Sequence, residues 1–232
     1  YTGASVGGSW QWQPHNQYHV KAGARGLNWA GSQPESMSDY RAKIDSVKQP
    51  YVSHETGQWC AFPNFSEIHK YTGVNKAKNF EIFRDILNDN HMGSMGHDFM
   101  MASGKLQAIC YKHEIEKTLR TPDYAGFQLL ALNDYSGQGT ALVGLLDVFF
   151  EEKGYINADE FRRFCSPTVP LARIPKFVYT SDETFHADIE VSHFGAAPLQ
   201  GAKTVYSIKD EYGKVYAHGT VGTQDIPVGN LC

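Results

Sequence analysis

The sequence predicts an α/β protein in which strands alternate with helices, as in a parallel sheet or a (β/α) barrel, followed by the start of a β-sandwich. Three observations predict it. Strand, polar loop and helix follow one another twice, at 51–90 and 126–150. The run Ala125–Leu132 is apolar without alternation, the pattern of a strand buried on both faces of a parallel sheet. After Pro167, Pro170 and Pro175 the texture changes to short alternating strands divided by turn signals.

Taken in order, the first 50 residues are mostly long loop, rich in Gly, Ser, Asn and aromatics (Trp10, Trp12, His15, Tyr18, His19, Trp29). Strands are expected only near 1–6 and 17–22. Asp39–Val47 suits a short helix, stopped at Gln49 because a residue before proline avoids helical ψ. Strand 51–55 follows. Asn64 with Glu67 three residues on reads as a capping box. In 76–90, Phe80, Phe83, Ile86 and Leu87 recur at helical spacing, and in 99–119 Leu106, Ile109, Ile115 and Leu119 do the same until Thr121-Pro122. Strand 126–133 ends in Asn133-Asp134-Tyr135, passes Ser136–Gly139 and enters an apolar helix from Thr140. Beyond 175, strands are expected at Phe177–Tyr179, Thr184–Ser192, Thr204–Lys209 and Lys214–His218, with immunoglobulin-like spacing.

Composition narrows the function. The chain has 232 residues, 41% hydrophobic and 20% charged, which excludes a disordered tract or a collagen-like repeat. Lys plus Arg is 21 and Asp plus Glu is 25, so no basic field invites nucleic acid or an anionic membrane. No segment approaches the roughly 20 apolar residues of a membrane helix. Cys60, Cys110, Cys165 and Cys232 lie far apart without a CxxC, fitting neither a zinc site nor a dense disulfide scaffold. Tyr1 opens as though mid-strand and Cys232 closes inside a strand-and-turn pattern, so the chain is expected to be a fragment or a processed piece.

Two strand ends carry the chemistry. Ser53–Trp59 places Glu55 where a parallel strand delivers side chains to the active face, with Gly57 for a tight turn and Trp59 as a stacking surface for a sugar ring. A structural ion pair at a strand end would look the same. Asn133 and Asp134 suit paired hydrogen bonds to sugar hydroxyls, or a cap for the following loop. Gly137-Gln-Gly139 lacks the rest of any nucleotide-binding motif. His15 and His19, and His91 and His97, lack an HExxH context, so no metal is expected. Cys60 lies close to His54 but lacks a helix N-terminus or basic neighbour to activate it as a nucleophile.

At these residues a resemblance enters. SHETGQW at 53–59, NFSEIHKYTG at 64–73, GFQLLALNDYSGQGTALVGLLD at 126–147 and EEKGYINADEFRRFC at 151–165 resemble the C-terminal half of a family 2 glycoside hydrolase, β-galactosidase-like and of gut-bacterial type. The resemblance implies that residues 1–168 are the C-terminal half of a (β/α)8 TIM-barrel catalytic domain and 175–232 the start of an immunoglobulin-like β-sandwich. It implies a retaining β-glycosidase with Glu55 as nucleophile, and Tyr18, His19, His54, Trp59, Asn133 and Asp134 around the sugar. No cofactor is implied, and the location would be periplasmic or secreted. The family's acid/base Asn-Glu pair has no counterpart here. A partner, the missing N-terminal half of the barrel, is therefore expected to supply it, and the chain alone to be inactive. The competing readings are a non-catalytic carbohydrate-binding protein and a structural module whose aromatics are core.

Overall fold

A computed structural model describes residues 4–7, 15–135, 139 and 141–230. Trp10, Trp12, Ser136–Gln138 and Cys232 lie outside the described residues. Four strands form one parallel sheet in the order β1 (Ala4–Gly7), β2 (Tyr18–Lys21), β3 (Tyr51–Thr56) and β4 (Tyr124–Leu129). Between β2 and β3 lies one short helix, α1 (Arg41–Ile44). Between β3 and β4 run a 3-10 helix at Phe65–Lys70, then α2 (Lys78–Asp89) and the long α3 (Gly96–Leu119).

The expected (β/α)8 barrel is corrected by this topology. Closing a barrel requires the last strand to pair back onto the first. Here β1 and β4 are the two edges of an open sheet, and the arrangement is a small mixed α/β one. The second strand–helix unit also fails, because residues 141–150 form no helix. They run as an irregular strap: Leu145 N and Leu146 N donate to Leu132 O, and Asp134 N donates to Leu146 O. Gly144 lies so close to this segment that a Cβ there would sit 2.2 Å from the Asn133 carbonyl carbon. The apolar residues of the strap are buried by tertiary contact, not by helical amphipathicity: Leu142, Val143 and Leu145 are all core.

Strand β4 is likewise less buried than its apolar run suggests, with only Tyr124 fully covered. Helix α3 buries only part of the expected face. Ile115 is in the core and Leu119 packs against it, but Leu106 and Ile109 are exposed, and Met100, Gly104, Gln107, Tyr111, Glu114 and Thr118 line the inner stripe at helical spacing. Four of those six, Gln107, Tyr111, Glu114 and Thr118, carry hydrogen-bonded polar groups. Gln107 Nε2 donates to Trp59 O at 2.6 Å and lies 3.0 Å from Leu142 O, so the helix binds loops as well as packing on them. Around this stripe the main core gathers Ala61, Met100, Tyr111, Ile115, Leu145, Tyr155 and Phe164. The 3-10 helix starts as expected at Asn64, whose side chain accepts from Ser66 N. Its Glu67 does not complete a capping box; the side chain is fully buried instead.

After the short helix α4 (Ala158–Arg162), the chain forms two separate antiparallel ribbons. One pairs β5 (Thr168–Arg173) with β6 (Asp188–His193); the other pairs β7 (Leu199–Lys209) with β8 (Val215–Ile226). Phe177–Tyr179 is not a strand. The immunoglobulin-like sandwich is corrected too: a sandwich needs two sheets with a shared inner face. Val205, Tyr206, Ile208, Val215, Tyr216 and Val221 of the second ribbon are exposed, so no such face exists among the described residues. The first ribbon is seated on the α/β part, with Val169 and Leu171 buried and Ser36 Oγ donating to Ala172 O at 2.7 Å.

Candidate functional site

Glu55 sits at the C-terminal end of β3, and the strand delivers it through an irregularity. In the β3–β4 ladder, Ser53 faces Phe127 and Thr56 faces Leu129. Two residues, His54 and Glu55, thus oppose Gln128 alone, which is a β-bulge; bulges of this kind re-aim a side chain beside functional sites. The backbone records it, since Glu55 has φ of +58°, the left-handed region a non-glycine residue avoids at a cost of about 1–3 kcal/mol.

Arg25 holds that conformation. Its Nη1 lies 2.8 Å from His54 O, 3.0 Å from Glu55 O and 3.1 Å from Glu55 Oε2. Gln58 Nε2 donates to the same Oε2 at 3.2 Å. Both donors take Oε2. Oε1 accepts no hydrogen bond among the described residues and has His54 Nε2 at 3.6 Å. The other ring nitrogen of His54, Nδ1, is 3.1 Å from Gln128 Oε1, across the bulge. One carboxylate oxygen is therefore anchored and the other is left without a hydrogen bond.

The cleft beside Glu55 has a volume of about 370 Å³ and is lined by Arg25, Gly26, Lys43, Gln58, Trp59 and Glu114, among others. It opens at the carboxyl end of the parallel strands, where open α/β sheets bind ligands. Trp59 is half-buried, so part of its ring remains available. The second acid, Glu114, is 2% exposed. Burial pushes its carboxyl above the usual range, against three donors that favour the charged form: Gly26 N, Trp59 Nε1 and Gly57 N.

The structure thus brings together Glu55, His54 and Trp59 of the expected residues, and leaves four elsewhere. His19 pairs with Tyr51 at the other end of the strand, is fully buried, and has Nε2 3.3 Å from Gln49 Oε1. Tyr18 precedes it in β2; neither lines the cleft, and it is Arg25 that bonds the Glu55 carboxylate. Asn133 Nδ2 donates to Asp134 O. Asp134 is buried against Lys153 Nζ at 2.5 Å, with Oδ1 accepting from Gly144 N, and is no part of the cleft. Sequence reasoning missed Arg25, Gln58 and Glu114. Only Gln58 had a signal, its place within the motif around Glu55. Among the described residues no group of three or more His, Cys, Asp or Glu is arranged to hold a metal ion.

Fold and site together define a mixed α/β protein with a carboxylate cleft at the end of a short parallel sheet. A family model described as a domain of unknown function, DUF8488, matches residues 183–232, which span most of the two ribbons and none of the cleft. No curated protein matches the chain.

Proposed function

We propose that this chain carries the nucleophile of a retaining β-glycosidase, with Glu55 in that role, in keeping with the resemblance of its motifs to family 2 glycoside hydrolases. One observation carries the reading: a bulged, left-handed Glu55 lines a cleft walled by Trp59, with Oε2 anchored by Arg25 and Gln58 and Oε1 accepting no hydrogen bond among the described residues. A structural ion pair alone would need neither the bulge nor the unbonded oxygen.

In the first step Oε1 attacks the anomeric carbon, the glycosidic C–O bond breaks, and its electron pair leaves with the aglycone oxygen. Water then attacks the anomeric carbon, giving up a proton to the group that protonated the leaving group, restores the Glu55 carboxylate and releases the sugar with net retention. Trp59 offers the ring face against which a sugar stacks. The aglycone needs a proton, and Glu114 is poorly suited to give one: both its oxygens already accept from N–H donors. Leaving-group protonation is assigned to a group outside these 232 residues, on a partner segment.

A dinitrophenyl glycoside fluorinated beside the anomeric carbon tests the reading, because dinitrophenolate departs without protonation. A panel of such β-galactosides, β-glucosides and β-mannosides is expected to leave one glycosyl adduct on Glu55 by peptide mass mapping, and none on Glu55→Gln. Saturable sugar binding without any adduct would instead favour a non-catalytic carbohydrate-binding protein.

A further inference from the structure

Glu55, near the end of β3, and Arg25, in the loop after β2, are 30 residues apart, and nothing local sets their register. The contact that does lies behind them, on α3. Glu114 Oε1 accepts from Gly26 N at 2.7 Å, one residue after Arg25. Its Oε2 accepts from Gly57 N at 3.2 Å, two residues after Glu55, and from Trp59 Nε1 at 2.7 Å. Three donors from two segments beside the cleft thus end on a single carboxylate. Both backbone donors belong to left-handed glycines, Gly26 at φ +80° and Gly57 at φ +83°, so each amide is presented by a turn that a side chain would strain. Tyr40 adds a brace by donating to Gly26 O at 2.7 Å.

We propose that Glu114 is the positioning residue of the site, setting the Glu55 carboxylate, the Arg25 guanidinium and the Trp59 ring in register from behind the cleft. It touches no reacting atom. The three hydrogen-bond partners of its carboxylate are all N–H donors, a set that a carboxylate satisfies through both oxygens, and protonation would release two turns and the indole together. The positioning role rests on Glu55 being the nucleophile; the three-way contact does not. Alignment is where small errors are amplified, since a misplacement near 1 Å is worth about a hundredfold in rate.

Two measurements test this on the chain itself. In nitrogen-15 NMR spectra, the Gly26 and Gly57 amides and the Trp59 indole N–H are expected to move together with one midpoint as Glu114 is protonated. Glu114→Gln keeps the shape but turns an NH₂ group toward N–H donors. It is expected to melt cooperatively yet slow adduct formation on Glu55 about tenfold to a hundredfold, with a smaller change in the sugar's binding constant. A merely structural Glu114 would lower the melting temperature and leave the labelling rate of the folded protein alone. Wild-type labelling speed in folded Glu114→Gln overturns the positioning role and spares the nucleophile. Absence of adduct in the wild type overturns both. If Glu114→Gln does not fold, the wild-type titration decides: a shared midpoint supports the proposal, and separate midpoints overturn it.

Discussion

The hydroxyl of Tyr111 lies 2.7 Å from the carbonyl of Gly57, and equally 2.7 Å from that of Val143. Tyr111 is fully buried on α3, so the turn that ends β3 is seated directly on an aromatic ring. A Cβ at residue 57 would fall 2.0 Å from Tyr111 Cε1, and Gly57 has φ of +83°. Gly57→Ala is expected to cost about 3 kcal/mol or more, from steric overlap and left-handed strain together. Denaturant unfolding measures it; a loss below 1 kcal/mol would mean that the turn has another way to pack.

Asp134 was expected at the sugar, and the structure predicts a different phenotype for it. Lys153 Nζ lies 2.5 Å from Asp134 Oδ2 and donates to Gly144 O at 2.8 Å, with both side chains almost wholly buried. Removing one partner strands a buried charge, at a cost of about 3–5 kcal/mol. Lys153→Met is expected to show that loss, and a double variant with Asp134→Leu to recover much of it. A lone Asp134→Asn that folds normally but loses sugar affinity would contradict this assignment.

Two buried groups set opposing pH dependences. Glu67 is fully buried with no hydrogen-bond partner on either oxygen; burial first, then the charges of Asp147 and Asp134, raise it from 4.5 to about 7 against Lys153 and Lys70. Between about 4.5 and 7 the native state keeps a proton that the unfolded chain has lost. This contribution is therefore full below 4.5 and is lost as pH rises through about 7. His113, packed between Trp29 and Phe177, is pushed by burial, and then by Lys112 and Arg120, from 6.5 to about 3. Its contribution is full above 6.5 and is lost as pH falls toward about 3. The two slopes oppose each other between about 4.5 and 6.5. Glu67→Gln removes one of them, so its stability relative to the wild type should rise with pH in that window, by up to about 1.4 kcal/mol per unit. Unfolding at a series of pH values checks this; parallel curves for wild type and variant would count against a buried, protonated Glu67.

Turnover should depend on the leaving group. The chain is expected to give no measurable hydrolysis of simple nitrophenyl glycosides, because general acid assistance is worth about 10² to 10⁴ in rate and Glu114 does not supply it. Hydrolysis that vanishes in Glu55→Gln would reveal a proton donor within these residues.

Arg25→Ala addresses the clamp. It removes a guanidinium that spans His54 O, Glu55 O and Glu55 Oε2, so the left-handed Glu55 loses its restraint. Labelling of Glu55 is expected to slow by about tenfold or more, with a modest stability loss of about 1–2 kcal/mol, since the pair is partly exposed. An unchanged labelling rate would show that the bulge holds itself.

Much of the framework is legible in local pattern. Helix α2 follows from its apolar spacing, the start of the 3-10 helix from Asn64, and the β3 strand from the short run before Gly57. Glu55 stands out by the same means, as a carboxylate at a strand end before a glycine. These features depend on residues within one or two turns of each other, and chain-local preferences suffice to specify them.

What tertiary structure alone decided is everything that joins distant segments. Arg25 meets Glu55 across 30 residues and Glu114 meets Gly26 across 88, with no periodicity linking them. The inner face of α3 is polar at Gln107 and Glu114 because those side chains satisfy loop groups, so an apolar pattern finds Ile115 and Leu119 but misplaces Leu106 and Ile109. The apolar run 141–150 stays out of helix because its backbone pairs with 132–134 at a glycine contact. An open sheet and two ribbons, in place of a barrel and a sandwich, follow from which edges and faces find partners. Strand-like sequence specifies a strand, but its neighbours are chosen by long-range hydrogen bonds and burial, which no local window contains.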